Sequence, residues 1–556
     1  MRNKKLTRGV RALLILLIPP LLYPAFAAGQ DTSVDRGSKG TSLSALAPAD
    51  SVQEKTAPAG AAAVAKLTLD ECIVQAVRRN LGVAVQVITF HQADLSVDQA
   101  GEKFLPSLSF DFYKDRQNSA SYSWMDSSDI SSTAARSYSA GVSQNIPFGG
   151  SLKLGLGAGQ NESNSRFQTI NPRYSSRLSF NFTQPLLKDF GWGTSRKDIL
   201  VSRNNREIAE NDLKNTLLQT VYAVEQAYWE LVYRIESLGV QRQSLKLAQD
   251  LLEKNRKEIE IGTLAPKEIL SAQVEVASRK ADILQAEMMV KDSTDTLRGL
   301  INLSLDKDAG DISPADTPGF AKSDVGLDEA LALALTNRPD LQSSAISIKN
   351  KEIDYSFAKN QMLPTLNLNA QYWSPGLSGD RILFLDNNPL TGIVLGKVPG
   401  GSSDAFRDAF GLQYDNWSVS ISLDIPLSSV FTRTAQAQAK AGLDGEVARM
   451  KQKKQDAFLE IRAAVRAVET NRERVNARRE ARELAEQKLQ AEEAKLQVGL
   501  SSNFYVLNYQ RELAAARTAE LRALIDYTLS LGQLDKATGT TLDKRNIKLT
   551  DAGEDQ

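Results

Sequence analysis

Two stretches decide the fold: KFLPSLSFDFYKD, which begins at Lys103, and QMLPTLNLNAQYW, which begins at Gln361. Each reads Leu-Pro-small-Leu and then alternates apolar with polar residues, which is the period of a half-buried β-strand. The two prolines, Pro106 and Pro364, lie 258 residues apart. The chain therefore contains the same structural motif twice.

The repeat starts upstream of these strands. The first half begins LTLDECIVQAVRRN at Leu67, where Thr68 and Glu71 have the spacing of a helix capping box. The second half begins VGLDEALALALTNRPD at Val325, with Leu-Asp-Glu again 258 residues farther on. Each half therefore opens with a helix whose apolar residues recur at helical intervals.

Alternating segments follow each Leu-Pro motif. Their positions are Leu108 to Phe112, Ala140 to Ile146, Leu152 to Leu156, Leu178 to Phe182, Leu366 to Tyr372 and Val419 to Ile425. The loops at 118–132 and 377–392 are rich in Ser, Asn, Asp and Gly, and each half leaves the strands through a proline, Pro185 or Pro426. Strands of about 8–10 residues with one apolar face fit hairpins that cross an outer membrane. A soluble half-buried hairpin fits them equally.

Long helices follow the strands. Residues 196–261 contain no proline and a single glycine, and helix resumes after Gly262 and Pro266 to about residue 302. About 65 helical residues at a rise of 1.5 Å span roughly 100 Å. Apolar residues step by four and three, which predicts a coiled-coil seam, at Leu217, Val221, Val224, Tyr228, Leu231, Ile235 and Leu238.

The second half repeats this arrangement, with helix over about 432–497, a break at Gly499 and helix again to about 537. Gly262 and Gly499 are only 237 residues apart, so the first half carries 21 more residues in its strand region. We predict a disordered linker at 28–65, structural repeats at 66–320 and 321–543, and a C-terminal tail at 544–556.

The composition excludes several functions. With 67 basic and 67 acidic residues, the chain has no net charge and no electrostatic footprint for nucleic acid. One cysteine, Cys72, and one histidine, His91, form neither a disulfide nor a His/Cys zinc site. No phosphate-binding loop or nucleophile motif accompanies the scattered acidic residues. We expect no enzyme activity, no catalytic, cofactor-binding or metal-binding residues, and no cofactor.

The N-terminus predicts export. Five basic residues in the first eleven precede an apolar run and an Ala-x-Ala motif, which indicates a signal peptide over residues 1–27. Pro19, Pro20 and Pro24 interrupt the run and disfavour the alternative, a retained anchor helix. No later stretch has the roughly 18 apolar residues of a membrane helix. The mature chain is therefore either soluble or carries a β-type membrane domain.

A membrane location would require several chains. An open sheet edge in hydrocarbon leaves backbone groups unpaired, so the sheet must close. Four or six strands fall short of the practical minimum of about eight for a barrel. Several chains would therefore share one barrel, and their long helices would stand side by side in the aqueous compartment.

On these motifs the chain resembles the TolC family of outer-membrane efflux proteins over about residues 66–543. The resemblance rests on the helix starts at Leu69 and Leu327, the Leu-Pro strand starts, the exits FTQPLL and LDIPLS, the glycine tips and the segment YVLNYQRELAAARTAELRALIDY. It implies a mostly α fold with a membrane β domain. Long helical hairpins would form an α-barrel, and β-hairpins would contribute to a shared trimeric outer-membrane β-barrel of twelve strands, four from each chain.

The resemblance also implies a function. The homotrimer would be a passive exit duct of a tripartite efflux or type I secretion system, set in the outer membrane of a Gram-negative bacterium and extending into the periplasm. Its partners would be a periplasmic adaptor (membrane fusion) protein, an inner-membrane pump or transporter, and outer-membrane lipid. The alternative is a soluble periplasmic coiled-coil scaffold or adaptor, which explains the helices but not the apolar-faced strands.

The resemblance implies that the helical tips contact the adaptor. The alternative is that these residues simply form a helix-turn-helix connection that needs a glycine at its turn. The tip residues are Gly262, Thr263, Leu264, Val498, Gly499, Leu500 and Ser501. A periplasmic constriction would involve Glu268, Tyr505 and Asn508. Tyr505 and Asn508 stand where some members carry aspartates, so constriction would rest on the bulk of Tyr505 and on polar contacts. Glu268 also fits a solvated helix face.

The first half departs from the family pattern at SAGVSQNIPFGGSLKLGLGAG, residues 139–159. This additional strand pair has a hairpin-like Pro-Phe-Gly-Gly turn. It would either form a longer hairpin above the membrane or pair outside the four-strand set. We expect four barrel strands per chain.

Overall fold

The computed structural model describes residues 65–121, 129–261, 267–303, 312–320, 326–425, 429–498 and 500–547. The predicted signal peptide, nearly all of the predicted linker and most of the predicted tail lie outside these residues. Every described helix and strand belongs to one compact unit, which ends at Arg545.

The first repeat starts with a short strand and two consecutive helices. Strand β1 (Ala65–Leu67) is followed by α1 (Leu69–Arg79) and α2 (Leu81–Glu102). Thr68 caps α1 as predicted: its hydroxyl accepts from the backbone N–H of Glu71 at 3.3 Å, and its own N–H donates to the Glu71 carboxylate at 2.8 Å. This capping box satisfies two backbone donors that the first turn leaves free.

The remaining elements of the first repeat are four strands and a long helical hairpin. They are β2 (Ser107–Ala120), β3 (Ile130–Asn145), β4 (Ser151–Ser163), β5 (Ile170–Pro185), α3 (Trp192–Ser195), α4 (Lys197–Glu260) and α5 (Lys267–Ile301). A short strand, β6 (Ile312–Pro314), then pairs with β1 in parallel.

The second repeat has the same order with fewer strands. Its elements are α6 (Leu327–Asn337), α7 (Pro339–Asn360), β7 (Thr365–Phe384), β8 (Val394–Val398), α8 (Ser402–Phe410), β9 (Asn416–Asp424), α9 (Ser429–Gln497), α10 (Asn503–Thr538) and α11 (Thr541–Lys544). Two 3₁₀ turns, Leu385–Asn387 and Pro389–Thr391, separate β7 from β8. The predicted loop at 377–392 is wrong in its first half, because β7 continues to Phe384.

The long strands form one antiparallel sheet in the order β2-β3-β4-β5-β7-β9, and β8 extends the edge beside the far end of β7. The sheet contains six long strands, two more than the four barrel strands expected per chain, because β3 and β4 lie inside it between β2 and β5. The ladder between β2 and β3 is continuous from Ser107 opposite Ser143 to Ala120 opposite Ile130. Five of the six long strands run beyond the predicted 8–10 residues, because polar residues continue the ladders past the apolar segments, and β9 has nine residues as predicted.

The turn between β3 and β4 lies at the helical end of the sheet. Gly191 donates its N–H to the carbonyl of Phe148 at 3.2 Å, and the Phe148 ring meets Trp192 at 4.2 Å between centroids. Gly149 has a φ of 96° and lies against the backbone of Asp189, where a Cβ would overlap the carbonyl oxygen. The added pair is therefore anchored where the sheet joins the helices, which rules out a hairpin standing only above the membrane.

The long helices agree with the sequence prediction. Helix α4 has 64 residues and α9 has 69, which correspond to about 100 Å each at 1.5 Å per residue. The predicted seam of α4 is buried at six of its seven positions, with Ile235 half-buried. Helix α4 pairs with α5 and α9 with α10, while α7 and α10 both pack on α4 and so join the two repeats. None of the described helices is long and apolar enough to cross a membrane.

One polar cluster in each repeat ties its elements together. The buried Tyr228 donates its hydroxyl to the carboxylate of Asp316 at 2.9 Å and lies 3.1 Å from the carbonyl of Leu67, which ties α4 to the β1-β6 pair. Arg338 binds Asp340 and, at 2.6 Å, Glu460, and it donates to the carbonyl of Ala537. A single guanidinium thereby joins the start of α7 to both long helices of the second repeat.

We predict that Cys72 is unreactive in the folded protein. It is fully buried, and burial, followed by the charges of Glu71 and Asp316, raises the pKa of its thiol to about 11. At pH 7 only about one thiol in ten thousand would be a thiolate, which is the nucleophilic form. Maleimide labelling of detergent-purified protein, followed by mass spectrometry, should modify Cys72 only after denaturation. The variant Cys72→Ala/Ser403→Cys, whose thiol would be exposed, should label at once, and equal labelling rates would contradict the prediction.

Candidate functional site

The sheet has two chemically different faces. One row of directly opposed residues crosses all six long strands and is apolar throughout. Its members are Leu108, Val142, Leu154, Phe180, Tyr372 and Trp417. The adjacent row contains only polar residues, namely Ser107, Ser143, Lys153, Asn181, Gln371 and Ser418. Because successive side chains point to opposite faces, one face is apolar and the other is polar along the sheet.

The polar face is concave. Residues from five consecutive strands line a shallow cavity of about 410 Å³ on this side. The lining includes Ser109, Asp111, Ser139, Gly155, Arg177 and Gln371. Curvature of this sense places polar groups on the inside and apolar groups on the outside, as in a barrel that encloses water within lipid.

Helix α8 covers the far end of the apolar face. Ser176 donates its hydroxyl to the carbonyl of Ala405 at 2.5 Å, and Gly376 leaves room for that carbonyl, because a Cβ there would overlap it. Beyond this contact the surface is aromatic: Phe410, Tyr414 and Trp417 are all exposed. Aromatic residues concentrate at the interfacial ends of membrane strands, so this edge marks one boundary of the apolar band.

The predicted tip residues lie at the ends of the helical hairpins. Gly262, Thr263, Leu264 and Gly499 lie outside the described residues, and so does the side chain of Glu268. The remaining tip is apolar and open to solvent: Val498 is 69% and Leu500 is 79% exposed. Exposed aliphatic side chains on a short turn form a small contact surface.

Polar contacts fix the second tip. Ser501 donates its hydroxyl to Glu492 at 2.6 Å, and Lys495 binds the other carboxylate oxygen at 3.1 Å. The hydrogen bond from Ser501, together with Lys495, lowers the pKa of Glu492 below its ordinary value. Tyr505 projects from the first turn of α10, half exposed and in edge contact with Phe504. Asn508 lies one turn farther along α10, and its side-chain nitrogen is 3.5 Å from a carboxylate oxygen of Glu512. Tyr505 and Asn508 thus share one face of α10.

A buried ion-pair cluster lies deeper in the helical bundle. Glu275 and Arg279 on α5 pair at 2.8 Å, and Arg279 also donates to the backbone carbonyl and hydroxyl of Ser244 on α4. Arg511 on α10 binds the second carboxylate oxygen of Glu275 and so connects the two hairpins. Burial raises the pKa of Glu275, but the hydrogen bonds and charges of Arg279 and Arg511 outweigh it and lower that pKa.

The sequence analysis missed this cluster. Glu275 and Arg511 are 236 residues apart, so no local pattern joins them. A partial signal exists on α5, where Arg279 continues the buried seam of Ala272 and Val276 at coiled-coil spacing. A charge at a seam position requires a buried partner, but the sequence does not show which one.

An amphipathic antiparallel sheet joined to paired helices of about 100 Å is the architecture of a channel that combines a membrane domain with a long aqueous extension. The comparisons with known proteins agree. The family model described as "Outer membrane efflux protein" matches residues 149–303 and 330–540. The chain belongs to this family.

Two relatives with similar sequences are also named as outer membrane proteins. The outer membrane protein TolC of Vibrio cholerae is 24% identical over 392 residues, covering 69% of this chain and 81% of that protein. A probable efflux pump outer membrane protein TtgC of Pseudomonas putida is 21% identical over 60% of this chain and 62% of its own length. The chain thus spans less than two thirds of this second relative.

Solved channel structures share the fold. The CmeC outer membrane channel of Campylobacter jejuni superposes with a TM-score of 0.62 at 15% identity, over 94% of this chain and 98% of that one. The open MtrE channel of Neisseria gonorrhoeae gives 0.60 at 18% identity, over 92% and 99%. The predicted fold class and outer-membrane location are confirmed, and the chain is an outer-membrane exit duct. The soluble scaffold finds no support among these relatives.

We predict that the Glu275 cluster stabilises the helical bundle. Arg279→Ala should lower the free energy of unfolding by about 3–5 kcal/mol, because it leaves a buried carboxylate without its buried partner. Arg511→Ala should cost about 1 kcal/mol or less, because the Arg511 side chain is 65% exposed. Guanidinium titration in detergent, followed by helical circular dichroism, measures both midpoints, and equal losses would contradict this account.

The same cluster should be acid-sensitive. Because the folded pKa of Glu275 is depressed, its contribution is complete above the ordinary carboxyl pKa of 4.5 and is lost as pH falls toward the folded value. Glu275→Gln should therefore be less stable than the parent at pH 7, with a smaller difference at pH 3.5. A difference that is constant between the two pH values would overturn the assignment.

Proposed function

We propose that the chain works as a homotrimer in a tripartite assembly, as the passive exit duct through which an inner-membrane pump or transporter and a periplasmic adaptor discharge their substrate. The observation that carries this proposal is the pair of adjacent rows across the sheet, one apolar and one polar. A surface of this kind fits lipid on one side and water on the other. The attached hairpins supply a length of about 100 Å outside the membrane.

Unburied apolar residues on the helices support assembly. Leu81, Val85, Ile88 and Leu95 on α2 are between 57% and 67% exposed and step at heptad spacing. Leu270, Val274, Leu284 and Met288 form a second exposed stripe on α5. Stripes of this kind mark helix-helix contacts, and further copies of the chain would bury them.

The helical tips would contact the adaptor. In the described part of the chain this surface comprises Val498, Leu500 and Ser501, and the sequence adds Gly262, Thr263, Leu264 and Gly499. Support comes from the exposed aliphatic side chains at the outermost turn of the bundle. The Ser501–Glu492 hydrogen bond holds this turn in one conformation, which would reduce the entropy lost on binding.

Glu268, Tyr505 and Asn508 would narrow the periplasmic entrance. Tyr505 supports this role because its half-exposed ring projects one turn above the tip, where three copies would converge. In this position a bulky ring restricts the pore sterically. Glu268 and Asn508 would contribute charge and hydrogen bonding to the same ring of residues.

We predict that Tyr505→Ala raises single-channel conductance in planar bilayers by a factor of about two or more, because it removes the bulk at the narrowest point. Glu268→Ala should act in the same direction with a smaller effect. Tyr505→Phe retains the ring and should conduct like the parent. Tyr509→Ala is the matched control, since that ring lies deeper on the same helix beneath Lys488 at 4.1 Å. If Tyr505→Ala conducts like the parent, Tyr505 does not form the constriction, whereas the role of the protein as an exit duct is unaffected.

Adaptor contact predicts a different phenotype. Val498→Asp/Leu500→Asp should abolish co-purification of the periplasmic adaptor with the channel from cross-linked membranes of the source bacterium, with membrane abundance and bilayer conductance unchanged. Leu390→Asp, which alters an equally exposed leucine at the far end of the sheet, should retain the adaptor. Undiminished adaptor recovery with the tip variant would contradict adaptor contact at the tips.

A further inference from the structure

The sheet of one copy has two open edges. Among the described residues, β2 has β3 as its strand partner and β9 has β7, so each leaves one side without a strand. The sheet has an even number of long strands with alternating direction, so β2 and β9 run antiparallel to each other. In hydrocarbon the free backbone groups of both edges require partners.

The side chains of these two edges match. On the apolar face β2 presents Leu108, Phe110 and Phe112, which are 62–74% exposed. On the same face β9 presents Val419, Ile421 and Leu423, which are 58–66% exposed. Placing the two edges together would continue the apolar face from one copy to the next without a polar interruption.

The chain already contains a joint of this kind. Strand β5, which ends the first strand region at Pro185, pairs with β7, which starts the second after Pro364. The tandem repeat makes β9 the counterpart of β5, because it ends at the second proline exit. It likewise makes β2 the counterpart of β7, because Ser107 and Thr365 both follow the Leu-Pro motif. The joint between repeats inside one copy therefore indicates which strands would meet between copies, and in which direction; the register of that joint is a separate question.

We propose that β9 of each copy pairs with β2 of the next, so that three copies of six long strands close into a barrel of eighteen strands rather than twelve. This inference rests on the trimer proposed above. The strands β3 and β4 then belong to the membrane wall. Their turn at Phe148 and Gly149 is fixed to the junction with the helices, and their ladders with β2 and β5 are continuous.

Matching the apolar residues sets the register. Leu108 lies opposite Leu423 of the partner subunit, Phe110 opposite Ile421 of the partner subunit, and Phe112 opposite Val419 of the partner subunit. Within one copy, the row of directly opposed residues that starts at Ser107 on β2 ends at Ser418 on β9. In the proposed register Ser418 lies opposite Tyr113 of the partner subunit, which is six residues farther along β2 than Ser107. A shift of six residues over six strands gives a strand tilt of about 35°, within the range of closed barrels.

Cysteine cross-linking of the detergent-purified, full-length protein tests this pairing. On a Cys72→Ala background, Leu108→Cys/Leu423→Cys should form a covalent trimer on oxidation, because each copy links to both neighbours. The two residues lie on opposite edges of one sheet, about 24 Å apart at five strand spacings, so no link within a copy competes. Ser109→Cys/Leu423→Cys is the matched control, since its thiols would point to opposite faces and should link poorly.

A third variant identifies the alternative. If β3 and β4 stayed out of the wall, β2 and β5 would be neighbours, and Leu108→Cys/Phe180→Cys would link within one copy. In the proposed barrel these strands are three spacings apart, about 14 Å, and no disulfide forms. A link here, or a link from position 108 to a different protein, would overturn the proposal.

Light scattering separates failure of this inference from failure of the proposed function. If the protein is a trimer in detergent but the 108–423 link does not form, the proposed function stands and the eighteen-stranded barrel is rejected. A monomer rejects the trimer as well. As a second measurement, polymers added to the extracellular side should enter the barrel up to a size about one and a half times that for a twelve-stranded channel, because diameter grows roughly linearly with strand number. Exclusion at the twelve-strand size would also reject the proposal.

Discussion

Backbone hydrogen bonding in the sheet is the constraint on which the rest of the structure depends. Water is absent from hydrocarbon, so every N–H and C=O of a membrane strand must find a strand partner. Within one copy the ladders run without a gap from β2 to β9, including across the boundary between the two repeats at β5 and β7. The edges that remain open are the physical basis of the proposed assembly, and the positions of the strands determine where the long helices start.

The helices follow from a different limit. A helix of 64 or 69 residues is too long to be buried in the core of one small domain. The structure meets this limit by pairing α4 with α5 and α9 with α10, and by packing α7 and α10 on α4. Tyr228 ties elements of the first repeat together, Arg338 ties elements of the second, and the Glu275 cluster joins the two repeats. Tyr228, Arg338 and Glu275 each contact at least two partners, which restricts the relative positions of the helices.

Much of this architecture could be predicted from the sequence, because its signals are local or periodic. The heptad steps from Leu217 to Leu238, the capping box at Thr68 and the alternation after each Leu-Pro motif all lie within short windows. The sequence did not reveal which strands are neighbours, because pairing joins residues far apart, such as Ser176 and Gly376. For the same reason it did not reveal the link from Glu275 to Arg511. The position of β3 and β4 was predicted wrongly, because the family pattern contains only four strands.

The glycines of β4 have a consequence for transport. Gly155, Gly157 and Gly159 all face the concave side, opposite Gly141, Ser139 and Ser137 of β3. These two strands carry little side-chain bulk there, while the charged groups of this face, such as Asp111 and Arg177, lie on the strands to either side. Cargo that has cleared the helices would therefore meet little steric obstruction along β3 and β4. Discrimination between molecules would then fall to the opposite end of the duct, and backflow would be limited there rather than at the cell surface.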